Sequence, residues 1–272
     1  MRTKPIRLAI LDMYDGAPNQ GMRCIKEIVN QFEEDLEWQV FDVRGKAEIP
    51  DLSFDIFIFT GGPGSPFDGD DFWDKRFFDF LQKLWEHNLR PGESKKFGFF
   101  ICHSFQMACR HFQIGEVTKR RSKSFGTFPV DKTSAGKNER LFELLDDPFW
   151  VADFRDWQVV QPNGKRLTEL GAFILAKEKK RPDVPLERAI MAVRFSDVLF
   201  GVQFHPEADS NGMLEHFSHP DQREKVKMEH GEEKYHQMIR DLKDPDKIEL
   251  TRNTILPSFL KNALEVLSEV EA

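Results

Sequence analysis

The chain has 272 residues, 40% of them hydrophobic and 31% charged, with a formal net charge of −7. Those proportions suit a folded domain with a sizeable core, and the acidic balance argues against a protein built to grip phosphate backbones. No apolar stretch approaches the roughly 18–20 residues of a membrane-spanning helix, and the N-terminal residues are too polar for a secretion signal. Three cysteines, Cys24, Cys102 and Cys109, make no even disulfide framework and read as reduced thiols. The expectation is a cytoplasmic protein with neither a membrane nor a nucleic-acid partner. The 26 Phe against 2 Tyr read as core filling.

Apolar runs at 8–11, 38–43, 56–60 and 97–101 have the length and composition of buried strands. Between them, 22–32 carries Met22, Ile25, Ile28, Val29 and Phe32 at helical spacing, and 72–85 does so with Phe77, Phe80, Leu81 and Leu84. Strand alternating with helix predicts an α/β fold, an open and mostly parallel sheet flanked by helices. From 115 to 204 the runs 115–130, 150–160, 173–176, 189–195 and 201–204 predict shorter strands in an antiparallel or mixed portion. Charge then dominates: 220–236 predicts a solvated helix, and 255–270 a terminal amphipathic one. The chain thus divides into an α/β domain, 1–206, and a C-terminal helical extension, 207–272, packed on the same domain.

Cys102 follows the apolar run ending at Ile101, and a helical pattern starts at His103. Unpaired N–H groups at a helix N-terminus favour the thiolate of a cysteine placed there. The backbone N–H of His103 is then one half of an oxyanion hole. A cysteine after a hydrophobic strand also fits a buried small hydrophobe; Cys109, seven residues on, is assigned to packing. A nucleophile needs a base, and Gln203-Phe204-His205-Pro206-Glu207 delivers His205 at the end of a strand that Pro206 stops. Glu207 can then turn back to the imidazole, completing a Cys–His–Glu set. Thr60-Gly61-Gly62-Pro63-Gly64-Ser65 is a glycine-rich turn after another strand. Open parallel sheets bind ligands at the carboxyl ends of their strands, so Gly62 is a second oxyanion donor. No Gly-Lys-Ser/Thr follows, which excludes a nucleotide phosphate loop.

These three segments, in this order, resemble class I glutamine amidotransferases, above all the glutaminase domain of GMP synthetase. The resemblance rests on Gly61-Gly62-Pro63-Gly64-Ser65, on Phe100-Ile101-Cys102-His103-Ser104-Phe105-Gln106 and on Gly201-Val202-Gln203-Phe204-His205-Pro206-Glu207, and spans about residues 6–217. Secondary matches are Lys123-Ser124-Phe125-Gly126 and the stretch from Leu141-Phe142 to Asp156-Trp157-Gln158. It implies a flavodoxin-like sheet, Cys102 as nucleophile, a His205–Glu207 pair, and an oxyanion hole from Gly62 and His103. Gly64 and Gln106 fall near the glutamine. No cofactor or metal is implied, and the eight histidines show no zinc-ligand spacing. No synthetase domain follows residue 217, so any ammonia acceptor is expected on a partner protein or is absent.

The chain departs from the family pattern in three places. Phe100 and Ser104 replace the elbow glycines, at positions where strand and helix nearly touch. Phe100 must therefore point away from the sulfur or open the turn. Phe154-Arg155 replaces a Ser-His pair, where Arg155 either holds a carboxylate of an altered substrate or is a surface arginine. Three functions compete: hydrolysis of the glutamine side-chain amide through a γ-glutamyl thioester, hydrolysis of a γ-glutamyl peptide or conjugate, and a catalytically silent binding subunit.

Overall fold

The computed structural model describes residues 5–16, 19–69, 72–181 and 185–269. Residues 1–4 and Val270, which the sequence reading includes, lie outside them. The first half alternates as predicted: β1 (Ile6–Asp12), α1 (Gln20–Asn30), β2 (Leu36–Asp42), α2 (Val43–Lys46), β3 (Ile56–Phe59), α3 (Trp73–Leu89), β4 (Phe97–Ile101) and α4 (His103–Phe112). Next come β5 (Glu116–Lys132), α5 (Ser134–Lys137), β6 (Phe149–Val160), α6 (Gly164–Leu170), β7 (Phe173–Glu178), β8 (Ile190–Arg194) and β9 (Leu199–Val202). The rest is helical: α7 (Ser210–Ser218), α8 (Pro220–His230), α9 (Glu232–Leu242) and α10 (Leu250–Glu269).

The nine strands form one sheet in the order β2-β1-β3-β4-β9-β8-β7-β5-β6. From β2 to β9 the pairings are parallel, and from β9 to β6 antiparallel. Strands β3, β4 and β9 are buried along their whole length, as central strands covered on both faces must be. Alternation along β4 divides the core in two. Phe97, Phe99 and Ile101 face α1 and α10, whereas Phe100 faces α3 and α4. Helix α10 inserts Ile255, Leu256, Phe259 and Leu260 into the first of these clusters, and the Phe259 ring meets Phe99 edge to face at 5.1 Å. The terminal helix is thus one of the layers covering the sheet.

The charged stretch 220–236 departs from the single solvated helix predicted for it. Gly231, at φ +90°, breaks it into α8 and α9. Val226, Tyr235 and Met238 are buried against Phe217 and the β5–β6 pair. Charge density hid that apolar stripe from the sequence reading.

Candidate active site

Cys102 links β4 to α4 with φ +48° and ψ −97°, a conformation that costs an L-residue on the order of 1–3 kcal/mol. Backbone bonds hold it there: its N–H donates to the Val202 carbonyl at 2.8 Å, and its carbonyl accepts from Gln106 N at 3.0 Å. Ser104 contributes more than small size. Its hydroxyl accepts from Ile101 N at 2.9 Å and donates to the Phe59 carbonyl at 2.7 Å, tying the elbow to β3. Cys102 makes no side-chain cap to α4, so its sulfur stands beside the open N–H groups of the first helical turn. The reversal at Cys102 also carries its side chain into the cluster of Phe99 and Ile101, away from Phe100.

Past the end of β9 the chain turns so that Gln203, His205 and Glu207 gather at the elbow. An isolated bridge to Ala152 anchors His205, whose N–H donates to the Ala152 carbonyl at 2.9 Å. Its Nδ1 lies 2.9 Å from Glu207 Oε1, and Cys102 lies close enough to the ring to favour its charged form. Gln203 Nε2 lies 3.9 Å from the Cys102 sulfur. Burial opposes charge on the imidazole, but Glu207 and Cys102 outweigh it and hold the His205 pKa well above the usual histidine value. Glu207 is 1% exposed, and its Oε2 has no hydrogen-bond partner among the described residues.

The glycine turn after β3 presses against this pair. A Cβ on Gly61 would fall 2.9 Å from His205 Cε1 and 3.1 Å from the Tyr14 hydroxyl; one on Gly62 would collide with the Met13 carbonyl. Gly64 has φ +85°, and Arg44 fixes the turn through the Pro63 carbonyl at 2.5 Å. His103 is buried, and burial, with the Arg44 charge, lowers its pKa to about 4. Its imidazole is therefore neutral, and what it offers a developing anion is its backbone N–H. Gln106 is buried and donates to the Trp157 carbonyl at 3.3 Å.

Arg155 departs from its expected role. Its side chain is 1% exposed, with Nε 2.9 Å from Asp153 Oδ1 and Nη2 2.6 Å from Glu178 Oε1. Its Nη1 donates to the Trp157 carbonyl. A guanidinium committed to two protein carboxylates is not held out to a substrate; it locks β6 to β7.

Tyr14 went unnoticed in the sequence. Burial, then the negative charges of Glu207 and Cys102, raise its pKa well above the usual tyrosine value, which marks it as a neighbour of the pair. The only signal was its place after β1, at the carboxyl end of a parallel strand. Burial raises Cys24 to about 11 and lifts Cys109 far from thiolate formation.

Beside His205 and Glu207 lies a cavity of about 440 Å³ between α1, β5, β6, α7 and α8. Phe125, Phe154, Met213, Phe217 and Val226 give it apolar walls. Among the described residues no cluster of His, Cys, Asp or Glu is placed to hold a metal, and no helix is long and apolar enough to cross a membrane.

No protein-family model and no curated protein matches the sequence. Solved structures do match in fold. A glutamine amidotransferase from Thermotoga maritima, 16% identical, aligns over 96% of this chain and 99% of its own with a TM-score of 0.68. One from Methylobacillus flagellatus is 14% identical, with 98% and 95% covered and a TM-score of 0.61. The glutaminase domain of Trypanosoma brucei CTPS with bound acivicin is 14% identical, over 74% of this chain and 86% of that one, at 0.54. The fold is that of the class I glutamine amidotransferases, as the sequence resemblance implied.

Proposed function

We propose that the chain is a cysteine amidohydrolase that cleaves the side-chain amide of glutamine. The observation that carries this reading is Cys102, held at φ +48° on the strand-to-helix junction beside a histidine that Glu207 backs. The Cys102 thiolate attacks the γ-carbonyl carbon, and the backbone N–H groups of Gly62 and His103 receive the charge that develops on its oxygen. The C–N bond breaks as the His205 imidazolium protonates the departing nitrogen, releasing ammonia and leaving a γ-glutamyl thioester. Water, deprotonated by His205, then cleaves the thioester to glutamate, the sulfur leaves as thiolate, and the thiolate–imidazolium pair is restored. Glu207 holds the imidazole in orientation and stabilises its charged form. Gly64 and Gln106 flank the amino-acid end of the substrate. The chemistry needs no cofactor, and the ammonia would serve a separate synthetase protein in the cytoplasm.

The test is labelling with a chloroketone or diazoketone analogue of glutamine, read by peptide mass spectrometry, alongside ammonia release from glutamine. An adduct on Cys102 with glutamine-protectable kinetics is expected. Labelling of Cys24 or Cys109 instead, with no ammonia released, favours a silent binding subunit.

A further inference from the structure

We infer that the cavity beside His205 is a leaving-group subsite, and that the physiological substrate is a γ-glutamyl amide of an apolar, ring-bearing amine. This rests on the amidohydrolase reading above and names its substrate class. In that chemistry the proton reaching the departing nitrogen comes from His205, so a substituent on that nitrogen extends to the His205 side of the carbonyl. His205 and Glu207 form part of the cavity wall there. The glutamyl half lies against the glycine turn and Gln106, whose residues do not line this cavity.

Ammonia needs no such space. A volume of about 440 Å³ has the size of a pocket for a small organic group. Its walls select for aromatic character. Phe125 and Phe154 meet edge to face at 5.1 Å, Phe217 lies 5.7 Å from Phe125, and the His230 ring stacks on Phe125 at 4.2 Å with planes 8° apart. Phe154 also lies 6.4 Å from the His205 ring, which places the aromatic wall next to the proton donor. The reaction is then γ-glutamyl-NHR plus water to glutamate plus RNH₂. The C–S bond forms as C–N breaks, the His205 proton goes to nitrogen, and water supplies the hydroxyl and the returning proton.

The experiment compares kcat/KM for γ-glutamylbenzylamide, γ-glutamylmethylamide and glutamine on the full chain, with released glutamate as the readout. The two substituted amides share an alkylamine leaving group, so their ratio reads the subsite. A benzyl-to-methyl ratio of at least 10 is expected, falling toward 1 in Met213→Trp, which fills the cavity from α7. Because the ratio is taken within each variant, partial loss of folded protein cancels. A ratio near or below 1 in the wild type, with glutamine hydrolysed, overturns the inference and leaves a plain glutaminase whose cavity serves ammonia passage. Turnover of none of the three, with no acyl group on Cys102, removes the amidohydrolase reading and this inference with it.

Discussion

The rings of Phe100 and Phe59 stack across the β3–β4 pair with centroids 4.4 Å apart and planes 23° from parallel. Phe195 closes the other side at 5.7 Å, so the residue two before Cys102 points into the core opposite the sulfur. Room for it comes from β9: a Cβ on Gly201 would meet Phe100 Cβ at 3.1 Å and Phe105 at 2.9 Å. A large residue at the elbow is thus accommodated by a glycine on the neighbouring strand. Phe100→Gly removes a fully buried ring and is expected to destabilise the fold by about 3–5 kcal/mol without raising glutamine turnover. Denaturant unfolding and an ammonia assay on the same variant check both halves. A gain of activity at unchanged stability would mean that Phe100 blocks the site.

Cys102→Ser is expected to abolish turnover and covalent labelling while retaining the wild-type melting temperature within a few degrees, since the backbone bonds hold the elbow without the sulfur. More than a few per cent residual rate contradicts the nucleophile assignment. Cys109→Ser places a hydroxyl in a fully buried apolar site and is expected to lose about 1–3 kcal/mol with labelling of Cys102 intact. Cys24→Ser is expected to leave the chemistry nearly unchanged.

Much of this was readable from residue order because it depends on local pattern. The apolar runs point to the strands, and the junction at Cys102 and the stop at Pro206 after His205 follow from strand and helix periods and the geometry of proline. Three features depend on tertiary proximity and left no local trace. Phe100 needs Gly201, about a hundred positions later. Arg155 is claimed by Glu178 on another strand. Tyr14 reaches the glycine turn only because β1 lies beside β3. The apolar stripe of α8 and α9 was lost among charges for a different reason: only Val226, Tyr235, Met238 and Leu242 of it face inward with Asp241.

Removing the carboxylate behind the imidazole tests the electrostatics. Glu207 is the largest influence raising the His205 pKa against burial, so Glu207→Gln is expected to lower it, as followed by the imidazole proton resonances in NMR. Because the folded-state value lies above the unfolded one, near 6.5, the charged pair stabilises the fold fully below about pH 6.5 and that contribution fades as pH rises through the folded value. The wild type should therefore lose its stability advantage over Glu207→Gln on the alkaline side. An advantage that grows with pH would refute the pairing.

His103 has the opposite sign. Its folded pKa of about 4 lies below the unfolded value of 6.5, so the unfolded chain binds a proton first as pH falls. Stability is intact above about pH 6.5 and is lost progressively toward pH 4, by about 3 kcal/mol for a shift of this size. His103→Phe is expected to flatten that acid limb, measured as urea unfolding at pH 7 and pH 4.5. An acid limb as steep in the variant as in the wild type would assign the loss to other groups.

Arg155 separates structure from substrate contact. Asp153 is 2% exposed, and the Glu178 side chain 14%; burial penalises the charge on Glu178, and Arg155 outweighs that, holding its pKa below the usual value. Arg155→Met leaves both carboxylates beside an apolar side chain, and Arg120, 2.8 Å from Glu178 Oε1, can answer only one of them. Truncating one member of a buried ionic group destabilises by about 3–5 kcal/mol. The variant is therefore expected to melt well below the wild type. What remains folded should keep its KM for glutamine within about twofold, a ratio that corresponds to less than 0.5 kcal/mol of binding. A variant of normal stability whose KM rises tenfold or more would instead give Arg155 to the substrate carboxylate, as its place beside Phe154 in the sequence first suggested.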